Sequence, residues 1–117
     1  VVVEVSCDLA PFAVHEPGAR PYAPRVLLVV EARSGFVLGT EVLAPLGTPA
    51  ETLGTTPLHL VHILDRNELR PRLVRVCSEP LAEALTGALD GIRLPVERVP
   101  FLPAAAEAME SLARFMD

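Results

Sequence analysis

The chain has 117 residues, a length that suits a single domain with one core. Half of the residues are apolar, yet no apolar run approaches the roughly 20 residues that a membrane-spanning helix needs. The formal net charge of −5 and the scarcity of aromatic residues argue against broad binding to phosphate backbones or stacked bases. We therefore expect one cytoplasmic α/β domain over residues 1–117 with no membrane contact. The first residue is not Met, which is consistent with excision from a longer chain.

Three strands are predicted in the first part of the chain. Residues 1–7 are rich in β-branched Val and indicate a first strand. A second strand over residues 25–32 contains the apolar run 26–30, which is typical of a strand buried on both faces. A third strand over residues 36–43 follows at once, and Gly35 before it favours a hairpin.

Proline and threonine mark the beginning of the helical part. Pro, Gly and Thr are dense over residues 44–55 and indicate an irregular connection, with a short turn of helix after Pro49. Thr56 is the predicted cap of the first long helix, with Pro57 at its first position. The buried stripe of this helix is predicted to consist of Pro57, Leu60, Val61 and Leu64.

A strand, a helix, a strand and a helix complete the chain. The strand 73–77 leads into a helix that Ser78 caps and Gly91 ends. Residues 92–99 are a fifth strand, which its proline places at a sheet edge. Pro103 begins the last helix, whose core-facing residues are predicted to be Ala105, Ala108, Met109, Leu112 and Met116. These elements favour a mixed five-stranded sheet with helices on both faces.

The segment 25–43, RVLLVVEARSGFVLGTEVL, resembles the second and third strands of retroviral-type integrase and transposase cores, including their Ser-Gly hairpin. Those cores belong to the ribonuclease-H-like superfamily, and the match in element order covers nearly the whole chain. Residue detail is shared only in the hairpin and in the strand that ends with VCSE at 76–79. The resemblance implies an α/β fold with sheet order 3-2-1-4-5. The chain also resembles a bacterial domain family of unknown function with a similar Pro-rich lead-in and hairpin.

Integrase-like cores hold two magnesium ions with an Asp in the first strand, an Asp at the end of the fourth and a Glu in the last helix. Two hard cations about 3.5–4 Å apart promote in-line attack on a phosphodiester, and such cations require oxygen ligands. The resemblance places Ser6 at the first position and Glu79 at the second. Asp8 lies two residues beyond Ser6, on the same strand face. Glu107 or Glu110 fills the third position.

Ser6 departs from the pattern, because a neutral hydroxyl does not replace a carboxylate that bridges two metal ions. The resemblance therefore implies a catalytically degenerate domain without a cofactor. We expect a structural or interaction role, in which a protein partner or a second copy binds at the third strand or at the edge strand after Gly91. The alternative is a Mg²⁺- or Mn²⁺-dependent nuclease or strand transferase with Asp8, Glu79 and Glu107 as catalytic metal ligands. Nucleic acid is a partner only under that alternative.

Other reactive residues have simpler interpretations. His59 and His62 lie three positions apart with Asp65 one turn further, a spacing that permits a shared metal but also fits an exposed helix face. Cys7 and Cys77 end the first and fourth strands, and we expect them to be free, buried and close together. No Gly-x-Ser-x-Gly elbow indicates a serine hydrolase, and no Gly-rich phosphate loop supports a small-molecule sensor.

Overall fold

The computed structural model describes the backbone of residues 1–10, 12–45 and 47–116, and the side chains of those ranges up to residue 114. Its elements are β1 (Val2–Leu9), β2 (Arg25–Glu31), β3 (Val37–Leu43), α1 (Pro49–Leu53), α2 (Thr56–Arg66), β4 (Leu73–Val76), α3 (Glu79–Asp90), β5 (Val96–Arg98) and α4 (Pro103–Met116). The strands form one sheet of order β3-β2-β1-β4-β5, as predicted. β1 pairs antiparallel with β2 and parallel with β4, so the sheet is mixed.

The two central strands are buried on both faces, which explains the continuous apolar run in β2. On one face, alternate side chains of the sheet pack with α1, α2 and α3, and this cluster includes Val5, Leu27 and Val29. On the other face, Leu28 and Val30 pack against α4. Burying each such side chain contributes roughly 1.5–3 kcal/mol. Helices therefore cover both faces, as predicted.

A tight hairpin joins β2 to β3, as predicted from the Ser-Gly pair. The Glu31 N–H donates to the Phe36 carbonyl over 2.9 Å, and the Gly35 N–H donates to the Glu31 carbonyl over 2.9 Å. Gly35 has a φ of 75°, a left-handed conformation that residues with a side chain adopt at a cost. The register of the two strands then shifts between Val29 and Val30, where a β-bulge interrupts the ladder.

The beginning and the buried face of α2 differ from the prediction. The N-cap is Thr55 rather than Thr56, and its side chain makes no capping hydrogen bond. Thr56 lies inside the helix, where its buried hydroxyl donates to the Leu53 carbonyl over 2.6 Å and ties α2 to α1. The buried residues are Thr56, Leu60, Ile63 and Leu64, whereas Val61 is exposed and Pro57 is half-buried. The predicted stripe is wrong for Val61, because α2 presents the Thr56 and Ile63 side of its surface to the sheet.

The two ends of α3 lie where the sequence predicts them. Ser78 is the N-cap, and the helix ends at Asp90 with Gly91 as the C-cap. Gly91 itself has a right-handed φ of −61°. The left-handed residue is Arg93, with a φ of 58°, and the next N–H, that of Leu94, donates back to the Leu89 carbonyl over 3.1 Å.

The remaining elements agree with the prediction except at β5. That strand has three residues instead of the predicted 92–99, because residues 92 and 93 belong to the turn that follows α3. In α4, Ala105 is buried and Ala108, Met109 and Leu112 are half-buried, while the side chain of Met116 lies outside the described residues. In the part of the chain that the structure describes, no helix has the length and apolar character required to cross a membrane.

Gly35 and Gly91 have backbone conformations of opposite hand, and substitution by alanine should change the free energy of unfolding in opposite directions. Gly35→Ala is expected to lower the free energy of unfolding by about 1 kcal/mol, because a left-handed φ is costly for an L residue. Gly91→Ala is expected to raise it by about 0.4–1 kcal/mol, because Ala restricts the unfolded chain and its Cβ would lie 3.8 Å from the nearest atom, the Ala88 carbonyl oxygen. Urea unfolding followed by circular dichroism measures both changes. Shifts of the same sign would contradict the two conformations.

Candidate site on the α4 face of the sheet

The predicted site residues of β1 lie on the face of the sheet that α4 covers. Ser6 pairs in register with Leu28, and Glu4 pairs with Val30. Directly opposite residues project to the same face, and both partners on β2 pack against α4. Glu4 and Ser6 are only 3% and 7% exposed, whereas Asp8, further along the same face, is exposed.

The buried carboxylate of Glu4 binds the first turn of α4. The Ala105 N–H donates to Glu4 Oε1 over 2.9 Å in a buried contact between residues 101 positions apart. The first N–H groups of a helix have no acceptor within the helix, and they carry the positive end of its dipole. Leu102, which precedes α4, has no side-chain oxygen to serve as a cap. Glu4 therefore supplies from the centre of the sheet the acceptor that the sequence before α4 lacks.

Glu4 was missed by the sequence reasoning, which treated residues 1–7 only as a β-branched strand. One signal was present: Glu4 is the single charged residue among five that are otherwise all Val. A charged residue inside a strand that is buried on both faces requires a partner within the protein. The sequence does not indicate which donor provides it.

The hydroxyl of Ser6 is buried without a hydrogen-bond partner among the described residues. It occupies the position that the resemblance assigns to the first metal-binding Asp. A buried hydroxyl without a partner is unfavourable, and a buried ionised carboxylate at the same place would be far more so without donors or a cation. Because the residue is a serine, it brings no charge to this position.

The carboxyl ends of β1 and β4 lie at the same edge of the sheet. The last parallel pair is Glu4 with Arg75, and β4 ends one residue later at Val76, so strand pairing does not align Asp8 with Glu79. Glu79 begins α3 and is exposed, with Arg98 Nη1 3.8 Å from its Oε2. Because both side chains are more than half exposed, this ion pair contributes little to stability.

The third predicted carboxylate lies on α4, where Glu107 and the alternative Glu110 are both exposed. Among the residues whose positions are described, no three His, Cys, Asp or Glu side chains come together as a group that could hold a metal ion. The structure thus does not bring Asp8, Glu79 and Glu107 into one cluster. Their role as metal ligands stays a prediction.

The histidine pair on α2 lies towards solvent. His59 is half-buried, and His62 and Asp65 are exposed. The described residues give these side chains no further ligand with which to form a metal-binding group.

The two cysteines are free but differ in burial. Cys7 lies in the core cluster beneath α1, α2 and α3, and burial raises the pKa of its thiol to about 11, opposed in part by the Arg25 guanidinium. Cys77 is exposed, so the expectation that both thiols are buried is wrong for Cys77. It follows Val76, the buried last residue of β4, and alternation along the strand turns it away from the cluster that holds Val76.

The difference in burial predicts different thiol reactivity. At pH 8 Cys77 is expected to react quickly with a chromogenic disulfide reagent, whereas Cys7 reacts only when the protein unfolds, because its thiol is protected and protonated. Counting thiols before and after addition of denaturant measures this. Cys77→Ser is the control, since it removes the fast reaction and leaves the slow one. Two fast thiols in the native protein would contradict the burial of Cys7.

The contact between β1 and α4 also predicts a stability change. Glu4→Ala is expected to lower the free energy of unfolding by about 1–3 kcal/mol, because the Ala105 N–H loses its acceptor in a buried place. Glu4→Gln, which retains an acceptor oxygen, is expected to cost less. The exposed Glu107→Ala on the same helix is the matched control and should change stability by less than about 0.5 kcal/mol. Urea unfolding measures all three, and equal losses for Glu4→Ala and Glu107→Ala would exclude the capping role.

Comparisons with known proteins give a family and a fold. A family model described as "Domain of unknown function (DUF6930)" matches residues 1–113. No curated protein matches the chain. Among solved structures, the catalytic core domain of BIV integrase in crystal form I is similar, with a TM-score of 0.57 and 14% identity over 97% of this chain and 64% of that chain. At this identity the likeness shows the fold alone, and it confirms the predicted ribonuclease-H-like α/β plan with order 3-2-1-4-5.

Proposed function

We propose, from the premise that this chain belongs to the DUF6930 family of domains of unknown function, that it is a catalytically degenerate integrase-like domain with a structural or interaction role. The observation that carries the proposal is the state of the two buried polar residues of β1 on the α4 face. Glu4 is bound to the beginning of α4, and Ser6 is a neutral hydroxyl. Neither contributes a free carboxylate.

The Glu4 carboxylate is unsuited to a second role as a metal ligand. If it turned away from α4, the Ala105 N–H would be left buried and without an acceptor, at a cost of about 1–3 kcal/mol. A ligand set that bridges two cations needs carboxylates on rigid neighbouring elements whose charge is available to the metal. The buried Glu4 carboxylate instead joins β1 to α4 through the Ala105 N–H.

The catalytic alternative is supported by one observation, the shared edge at which β1 and β4 end. Asp8 lies near the end of β1 and Glu79 begins α3, which follows β4, and both residues are exposed. With Glu107 as a third oxygen ligand, these residues would hold Mg²⁺ or Mn²⁺ and activate a water for attack on a phosphodiester. Such a site would lie further along β1 than Ser6, at the exposed end of the strand.

A nuclease assay on the purified chain tests the proposal against this alternative. We expect that neither Mg²⁺ nor Mn²⁺ raises the melting temperature, and that plasmid DNA and an RNA–DNA hybrid stay uncut in reactions where a known metal-dependent nuclease cuts both. Cutting that is lost in Glu79→Gln and retained in Glu83→Gln would overturn the proposal. Glu83 is the matched control because it is exposed one turn further along α3.

A further inference from the structure

The two edges of the sheet are protected to different degrees. β5 has three residues, two of them the charged Glu97 and Arg98, and Pro95 directly precedes it. Short length, charge and proline are the features that keep an edge strand from pairing with another chain. β3 has seven residues, contains no proline and carries one charge, that of Glu41. It is therefore less protected than β5, with one charge and one β-bulge as its protective features.

The outer backbone edge of β3 is largely unpaired. In an antiparallel ladder, alternate residues of an edge strand direct their N–H and C=O groups away from the neighbouring strand. Among the described residues, the hydrogen bonds to β3 from outside the sheet include a single one to its backbone, from the Asn67 side-chain amide to the Leu38 carbonyl over 3.0 Å. That contact falls at the bulge, where β3 has one residue more than β2. Within the described ranges, the other outward-facing backbone groups of β3 have no partner outside the sheet and are available to a further strand.

Exposed apolar side chains lie along this open edge. Val37 and Val42 are 42% and 55% exposed, and Phe36 in the hairpin is 62% exposed. Val42 pairs with Val26 and Val37 pairs with Val30, so the bulge leaves both exposed valines on the α4 face of the sheet. One valine lies near each end of the strand.

We propose that β3 pairs antiparallel with β3 of a second copy of this chain, about a two-fold axis at Thr40. A two-fold interface requires a surface that complements itself. With the axis at Thr40, Glu41 lies opposite Gly39 of the second copy, so the two carboxylates do not face each other. Val42 then lies opposite Leu38 of the second copy. The Leu38 side chain packs against the core cluster beneath α1, α2 and α3, so the next side chain on the α4 face beside Val42 is that of Val37 of the second copy. This pairing makes a second copy of the chain the partner in the interaction role proposed above, and the inference therefore rests on that role.

The self-complementary register of β3 and the protection of the opposite edge favour a second copy over other occupants. The net charge of −5 disfavours a nucleic acid strand at this edge. Because the β5 edge is short and charged, the joined sheet has no second edge suited to pairing, and association ends with two copies. A closed dimer, rather than a fibre, is the expected product.

Sedimentation velocity of the whole chain over a range of concentrations tests the pairing, with a monomer–dimer equilibrium expected. Val42→Asp and Val37→Lys, each at an exposed position, are expected to give monomers, because each places a charge opposite an apolar residue. The double variant Val37→Lys with Val42→Asp is expected to restore the dimer, because each new lysine lies beside the new aspartate of the other copy on the α4 face. Ile92→Asp, which is 60% exposed in the turn after α3, is the control and should leave the dimer intact.

Two outcomes would overturn the pairing: a wild-type chain that stays monomeric at every concentration, or a double variant that stays monomeric although its circular dichroism shows that it is folded. The nuclease assay separates this inference from the proposed function. A monomer that does not cut nucleic acid removes the pairing and leaves the non-catalytic role standing. A dimer that behaves as expected and cuts in the presence of metal removes the non-catalytic role and leaves the pairing standing.

Discussion

The hydrogen bond between Glu4 and the first turn of α4 resolves the main constraint on this fold, which is that its central strand is buried on both faces. A charged side chain in such a strand has no access to water, so the protein itself must supply its donors. The Ala105 N–H, at the positive end of α4, supplies one donor over 2.9 Å. The same contact fixes where α4 begins on the sheet, and with it the packing of Leu28 and Val30 beneath the helix.

This arrangement changes the meaning of the resemblance to integrase-like cores. In the pattern that the resemblance implies, negative charge on this face is balanced by bound cations. In this chain the buried negative charge lies two residues earlier in β1 and is balanced by a helix dipole. The position between Glu4 and Asp8 on that face holds an uncharged serine. The element order matches that of the integrase core, and the buried carboxylate on this face joins β1 to α4.

The features that the sequence predicted correctly are those set by local patterns. The doubly buried β2, the Ser-Gly hairpin and the Ser78 cap each depend on a few neighbouring residues. The sheet order was predicted from the resemblance to integrase-like cores. The errors concern faces and distant contacts. The spacing of apolar residues predicted that α2 is a helix but not which of its sides contacts the sheet. Val61 was therefore predicted to be buried and Ile63 was not. The prediction that Cys77 is buried was wrong for a similar reason. Cys77 lies just beyond the end of β4, and the alternation of side chains along the strand directs it to the face opposite that of Val76. The partner of Glu4 lies 101 residues away, and no local pattern specifies it.

The length of chain between the two partners of that hydrogen bond has a consequence for how the domain is made. A ribosome releases Glu4 101 residues before Ala105, whereas the two strands of the β2–β3 hairpin emerge together and close on themselves. Contacts between residues so far apart in sequence form late because the intervening chain must first be ordered. Until α4 has been synthesised, the Glu4 carboxylate in β1 lacks its partner in the protein and must be hydrated by water. The α4 face of the sheet is therefore covered only after the last helix of the domain has been made.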